Sequence, residues 1–151
     1  MKRTSSGFTI IELIVSLSIL AVLATLILPI AEKTLVRQKE SALKQALRDI
    51  RSALDAYRSA AEAGVVPTTS DSGYPTSLEL LVEAKNERGQ HFLRTIPRDP
   101  FSKDSSKPAA STWLYRPYLS APDSPQAGAD IFDVYSSSTE IGTNGVPYRE
   151  W

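Results

Sequence analysis

The sequence predicts an α+β fold, a long N-terminal helix packed on a small antiparallel β-sheet head, and three observations predict it. Residues 7–30 form an apolar run with a single charge, Glu12. From residue 31 apolar side chains recur at threes and fours as far as Ala61. Two short stretches rich in aromatic and β-branched residues, 113–119 and 131–136, stand among Pro, Gly and Ser.

The apolar run is long enough to span a bilayer as a helix, because about 20 residues at about 1.5 Å each match the hydrocarbon core. Lys2 and Arg3 precede it and favour a cytoplasmic N-terminus, although Lys33, Arg37 and Lys39 follow closely and blunt the charge asymmetry. Glu12 is the anomaly, since an acidic residue at mid-helix costs roughly 2.5–3.5 kcal/mol to insert, and less near an end. Cleavage between Gly7 and Phe8 would place a positive α-amine four residues before Glu12, on the same helix face. Between helices offset along a common axis, the amine of one would meet the carboxylate of the next. A plain signal anchor, with Glu12 snorkelling to the headgroups, is the simpler alternative.

Pro29 lacks an amide donor and crowds the carbonyl of Thr25, so a kink or local melting is expected there. Beyond it Val36, Leu43, Leu47, Ile50, Leu54, Tyr57 and Ala61 form one apolar stripe, which extends the helix to a stop at Gly64 with Pro67 close behind. Residues 65–75 read as a loop. Thr76-Ser77-Leu78-Glu79 has the spacing of a capping box, predicting a short helix through Leu78, Leu81 and Val82. Residues 113–119 read as a strand that Pro117 confines to an edge or breaks, and residues 131–136 as a second one. Pro122, Pro125 and Gly128 mark the turn between them, and the tail from 137 is mostly loop. The predicted organisation is a leader, 1–7; a transmembrane and polymerisation helix, 8–30; the amphipathic half of that helix, 31–64; and a globular head, 65–151.

Little catalytic chemistry is visible. His91 is the only histidine, no serine sits in a nucleophile elbow, and no glycine-rich loop follows a strand. Asp99, between two prolines, is expected to cap a turn rather than catalyse. Trp113, Tyr115 and Tyr118 suit a sheet core better than a sugar or base platform. Lys+Arg and Asp+Glu both number 17, so nothing points to a nucleic-acid partner. Cysteine is absent, which excludes disulfides, thiol catalysis and thiolate metal sites.

The basic leader, Gly7, Phe8, Thr9, Glu12 and the apolar run up to Pro29 resemble the class III signal of type IV pilins and of the pseudopilins of type II secretion. The resemblance implies a pilin-like fold, cleavage between Gly7 and Phe8 by a prepilin peptidase, and N-methylation of Phe8. It also implies assembly of a helical filament of the chain itself through Phe8, Thr9, Glu12 and Pro29. Gly73-Tyr74-Pro75 and Pro97-Arg98-Asp99-Pro100-Phe101 resemble landmarks of the G-type major pseudopilin, and the missing cysteines fit a pseudopilin better than an adhesive pilin. In that family the subunit is single-pass in the bacterial inner membrane with its head in the periplasm, and helps export folded proteins across the outer membrane. The implied partners are the inner-membrane assembly platform, minor pseudopilins and the secretin channel. The alternative is a type IV pilin-like subunit for adhesion, motility or DNA uptake, whose expected basic stripe or disulfide-closed loop is missing from the sequence.

No cofactor is expected apart from calcium, which G-type pseudopilins bind in the C-terminal loop. Here Asp133 and Glu140 are the candidate ligands, but a later aspartate of the family pattern is replaced by Val146-Pro147-Tyr148. The expectation is weak binding or none, with Pro147, Tyr148 and Trp151 packing on the sheet to hold the loop.

Overall fold

The first element, a helix of 53 residues, α1 (Ile10–Glu62), contributes to two compact units, Met1–Gln38 and Lys39–Trp151. The computed structural model describes residues 7–121 and 128–151; within α1, residues 26–32 are described as backbone only. The helix runs unbroken through Pro29, so the local melting expected there does not occur; the turn expected at Pro122 and Pro125 lies outside the described residues, as do Lys2 and Arg3.

In the first unit the stretch of α1 from Leu13 to Leu23 carries no charge and is apolar on most faces, and the large side chains from Ile10 to Leu23 are exposed. A helix so widely apolar needs lipid or other helices around it. The hydroxyls in this run bond back to their own helix: Ser16 donates to the Glu12 carbonyl at 2.7 Å, Ser18 to Ile14 at 2.8 Å and Thr25 to Val22 at 2.7 Å. That satisfies polar groups which an apolar medium would leave unpaired. Among the described residues, no helix meets the length and hydropathy of a membrane span.

In the second unit α1 turns amphipathic and builds one wall of the core. Leu43, Ala46, Leu47, Ile50, Ala53, Leu54, Tyr57 and Ala61 are buried, the spacing of one helix face. Val36, read from sequence as part of this stripe, is instead exposed. The helix ends two residues short of Gly64, which takes φ 72°, a left-handed conformation that closes a helix at little cost to glycine.

Opposite α1 lie β1 (Trp113–Arg116) and β2 (Asp133–Ser136), an antiparallel pair in the register Trp113 to Ser136 and Arg116 to Asp133. Both are shorter than the sequence suggests. Pro117 has no amide to continue the ladder, and Ile131 leaves it to donate to the Pro75 carbonyl at 2.8 Å. The core is completed by Val66, Tyr74, Leu78, Leu81, Trp113, Ile131, Val134 and Tyr148. This is the α+β arrangement of the sequence reading.

The short helix α2 (Leu80–Glu83) corrects one local expectation. Glu79 precedes it in helical geometry without a side-chain cap bond, and Thr76 is exposed. The turn is set instead by burial of Leu78 and Leu81 and by the Leu93 amide, which donates to the Leu81 carbonyl at 2.9 Å. Asp99 does cap its turn: its Oδ1 accepts the Phe101 amide at 2.9 Å, while Oδ2 accepts the Ser136 hydroxyl at 2.6 Å and so ties the turn to β2.

Candidate assembly and processing site

The start of α1 is organised by Thr9 and Glu12. The Thr9 amide and hydroxyl donate to Glu12 Oε2 at 3.4 and 3.3 Å, and the Glu12 amide donates back to Thr9 Oγ1 at 3.3 Å. This is a reciprocal capping box, satisfying amides that a helix start leaves without intrahelical partners and setting a negative charge at the positive end of the helix dipole. The T-x-x-E spacing is the same pattern that fails to form at Thr76, and at Thr9 it is realised. Phe8 is 79% exposed, and Gly7 is exposed beside it. A Cβ placed on Gly7 would meet nothing within 4 Å, so the fold itself does not require a glycine there. Thr9 and Glu12 are thus brought together, Gly7 and Phe8 stand open before them, and Pro29 lies outside the described side chains.

The candidate calcium ligands are committed elsewhere. Asp133 binds two guanidinium groups, Arg51 Nε at 2.7 Å and Arg116 at 2.9 Å. Glu140 faces Lys103 at 3.6 Å across an exposed pair. Ca²⁺ takes about six to eight oxygens, mostly from carboxylates, carbonyls and water. Among the described residues no three His, Asp or Glu side chains converge as a metal cluster requires. The donor set present here does not fit the ion that the resemblance implies.

Sequence reasoning missed the carboxylate that holds the C-terminal loop. Glu40 is 5% exposed; its Oε1 accepts the Thr143 amide at 2.6 Å and the Tyr148 hydroxyl at 3.1 Å, and its Oε2 accepts the Thr143 hydroxyl at 2.6 Å. Burial pushes this carboxyl up, but the bonds from Thr143 and Tyr148 and the charge of Lys44 outweigh that and hold it below the ordinary value. Tyr148 is pushed up to about 12, first by burial and then by its bond to Glu40. A signal was present in the sequence: Glu40 stands three residues before Leu43, on the apolar stripe, where a solvated acid is out of place.

The model for a prokaryotic N-terminal methylation motif matches residues 2–28. Across the whole chain, a type II secretion system core protein G of Vibrio cholerae is 36% identical over 160 residues, covering 99% of this chain and 93% of that protein. Core protein G of Dickeya chrysanthemi is 34% identical, covering 69% of this chain and 68% of that protein; the Escherichia coli K12 protein of the same name is 35% identical, with 65% and 68% covered. No solved structure matches. The likeness extends from the methylation motif through the head, and the chain belongs to the family of type II secretion system core protein G, the G-type pseudopilins.

Proposed function

We propose that this chain is the structural subunit of a periplasmic pseudopilus, polymerising through its N-terminal helix to help export folded proteins across the outer membrane. The observation that carries the reading is the start of α1, an apolar surface on most faces with one carboxylate held at its tip. A prepilin peptidase cleaves between Gly7 and Phe8 and the new amine is methylated; the exposed segment and the absence of a steric need for glycine support recognition rather than folding as the reason for Gly7. Before assembly the subunit sits single-pass in the inner membrane with its head in the periplasm. It meets the assembly platform, the minor pseudopilins and the secretin as the filament grows. No nucleic acid takes part, and the role is structural rather than enzymatic.

In the filament the Glu12 carboxylate meets the Phe8 amine of a neighbouring subunit. The capping box adds a second role for the same side chain, and two substitutions separate the two. Glu12→Gln keeps a capping side chain and removes the charge, whereas Glu12→Ala removes both. Filament yield on overexpression is expected to collapse in both variants while membrane insertion persists, since neither variant carries the buried charge. Normal filaments from Glu12→Gln would sink the charge-pairing mechanism, and an intact Met1 in assembled protein, read by mass spectrometry, would sink the processing step.

A further inference from the structure

The bonds inside the loop from residue 137 to 147 are short-range ones that shape its turns, the Glu140 amide on Ser138 Oγ at 3.3 Å and the Val146 amide on Asn144 Oδ1 at 3.1 Å among them. Its turn is closed by the Gly142 amide on Val146 at 2.9 Å and the Gly145 amide on Gly142 at 2.9 Å, both inside the loop. The Lys103–Glu140 pair on its outer side is 88% and 58% exposed, and pairs that open contribute little. Two carboxylates outside the loop fasten it to the rest of the head: Asp99 accepts the Ser137 amide at 3.3 Å at its start, and the buried Glu40 of α1 accepts three hydrogen bonds from Thr143 and Tyr148 further on. Around that point Tyr148 stacks on Phe101 with ring centroids 3.8 Å apart, and Trp151 meets the edge of Tyr148 at 5.0 Å. A buried carboxylate must be neutralised or fully bonded, and here three donors and the nearby Lys44 do this without an ion.

We infer that Glu40 replaces a divalent cation in this chain: a carboxylate from α1 closes the 137–147 loop, so the order of that loop is independent of Ca²⁺. The inference goes beyond the role of the subunit and stands whether or not the filament mechanism above holds. In a cation-closed loop the acids of the loop would converge on the metal. Here the loop's one acid, Glu140, faces Lys103, and the other candidate ligand, Asp133 on β2, is held by Arg51 and Arg116, while the acid that closes the loop lies on the helix about a hundred residues earlier.

The test uses the full chain in detergent micelles, with Ca²⁺ itself as the probe. Thermal unfolding in millimolar Ca²⁺ and in excess chelator is expected to coincide, and calorimetric titration to give no heat of binding. Glu40→Gln is expected to speed hydrogen exchange of the Thr143 amide by roughly ten- to a hundredfold, the loss of a charge-assisted bond. Thr143→Val, a milder change, should lower the melting temperature and leave it equally blind to Ca²⁺. A rise of several degrees on adding Ca²⁺ to the unmodified chain would overturn the inference. So would unchanged Thr143 protection in Glu40→Gln, and should that variant fail to fold, the Ca²⁺ titration of the unmodified chain decides alone.

Discussion

Asp133 joins three parts of the head through one carboxylate. Arg51 on α1 and Arg116 on β1 bind its two oxygens, and the Val134 amide donates to Oδ1 at 2.8 Å. Arg51 also donates to the Val134 and Trp151 carbonyls, at 3.3 and 2.9 Å, so it grips the sheet and the end of the described chain together. Asp133→Asn keeps the shape and removes the charge, and is expected to destabilise the head by about 1.5–3 kcal/mol in denaturant unfolding. Gly142→Ala is expected to cost about 1–3 kcal/mol, because a Cβ there would lie 2.5 Å from the Trp151 ring and 3.0 Å from Tyr148. The start of α1 and the carboxylates of the head differ in how far the sequence reveals them. The Thr9–Glu12 box is local, three residues apart, and visible as spacing. The partners of Asp133 on α1 and of Glu40 in the loop are 82 and 103 residues away, and no local pattern ties such residues together.

Among the elements, α1 was legible because its period is physical: a face that must be buried repeats every three to four residues, and Leu43 to Ala61 obey that. Its first turn of true core comes later than the pattern suggested, since Val36 is exposed and burial begins at Glu40 and Leu43. Leu54 is fully buried in this face, and Leu54→Ala should cost about 2–5 kcal/mol. The strands were legible in composition but not in length, because their ends depend on a missing amide at Pro117 and on Pro75 competing for Ile131. α2 illustrates the opposite error, a correct capping pattern that tertiary burial of Leu78 and Leu81 makes unnecessary. Thr76→Ala should accordingly change stability by no more than about 0.5 kcal/mol in the same unfolding assay. A loss of about 1 kcal/mol or more would restore the cap.

For the molecule as a whole, the Glu40–Tyr148 pair sets a stability window in pH. Glu40 is depressed in the folded state, so its contribution is present above the ordinary carboxylate value of about 4.3 and is lost as pH falls through the folded one. Tyr148 lies on the other side. The unfolded phenol ionises near pH 10 while the folded one holds its proton to about 12, so its contribution is full below pH 10 and disappears between those values. The melting temperature should therefore form a plateau bounded by both limbs, with Thr143 and Lys44 supporting the acid limb and the charge of Glu140 reinforcing the alkaline one. Glu40→Gln should remove Glu40's share of the acid limb and narrow the alkaline one without abolishing it, because burial of Tyr148 remains. A fragment from residue 32 onward, without the apolar run, is expected to be a soluble monomer that unfolds in one cooperative step by circular dichroism and calorimetry.

The span of the Glu40 bonds has a consequence for the order in which the head forms. Thr143 and Tyr148 reach Glu40 across 103 and 108 residues of chain, and contacts that distant form late because a long loop must close first. During synthesis, which delivers the N-terminal end first, α1 and both strands exist before the segment that covers Glu40 does. Until then the carboxylate faces water at no cost, and the stripe beside it stands partly uncovered. The segment carrying Thr143 and Tyr148, made after α1 and both strands, thus converts a solvated acid into a buried one, and the head gains the stability of that site only when it arrives.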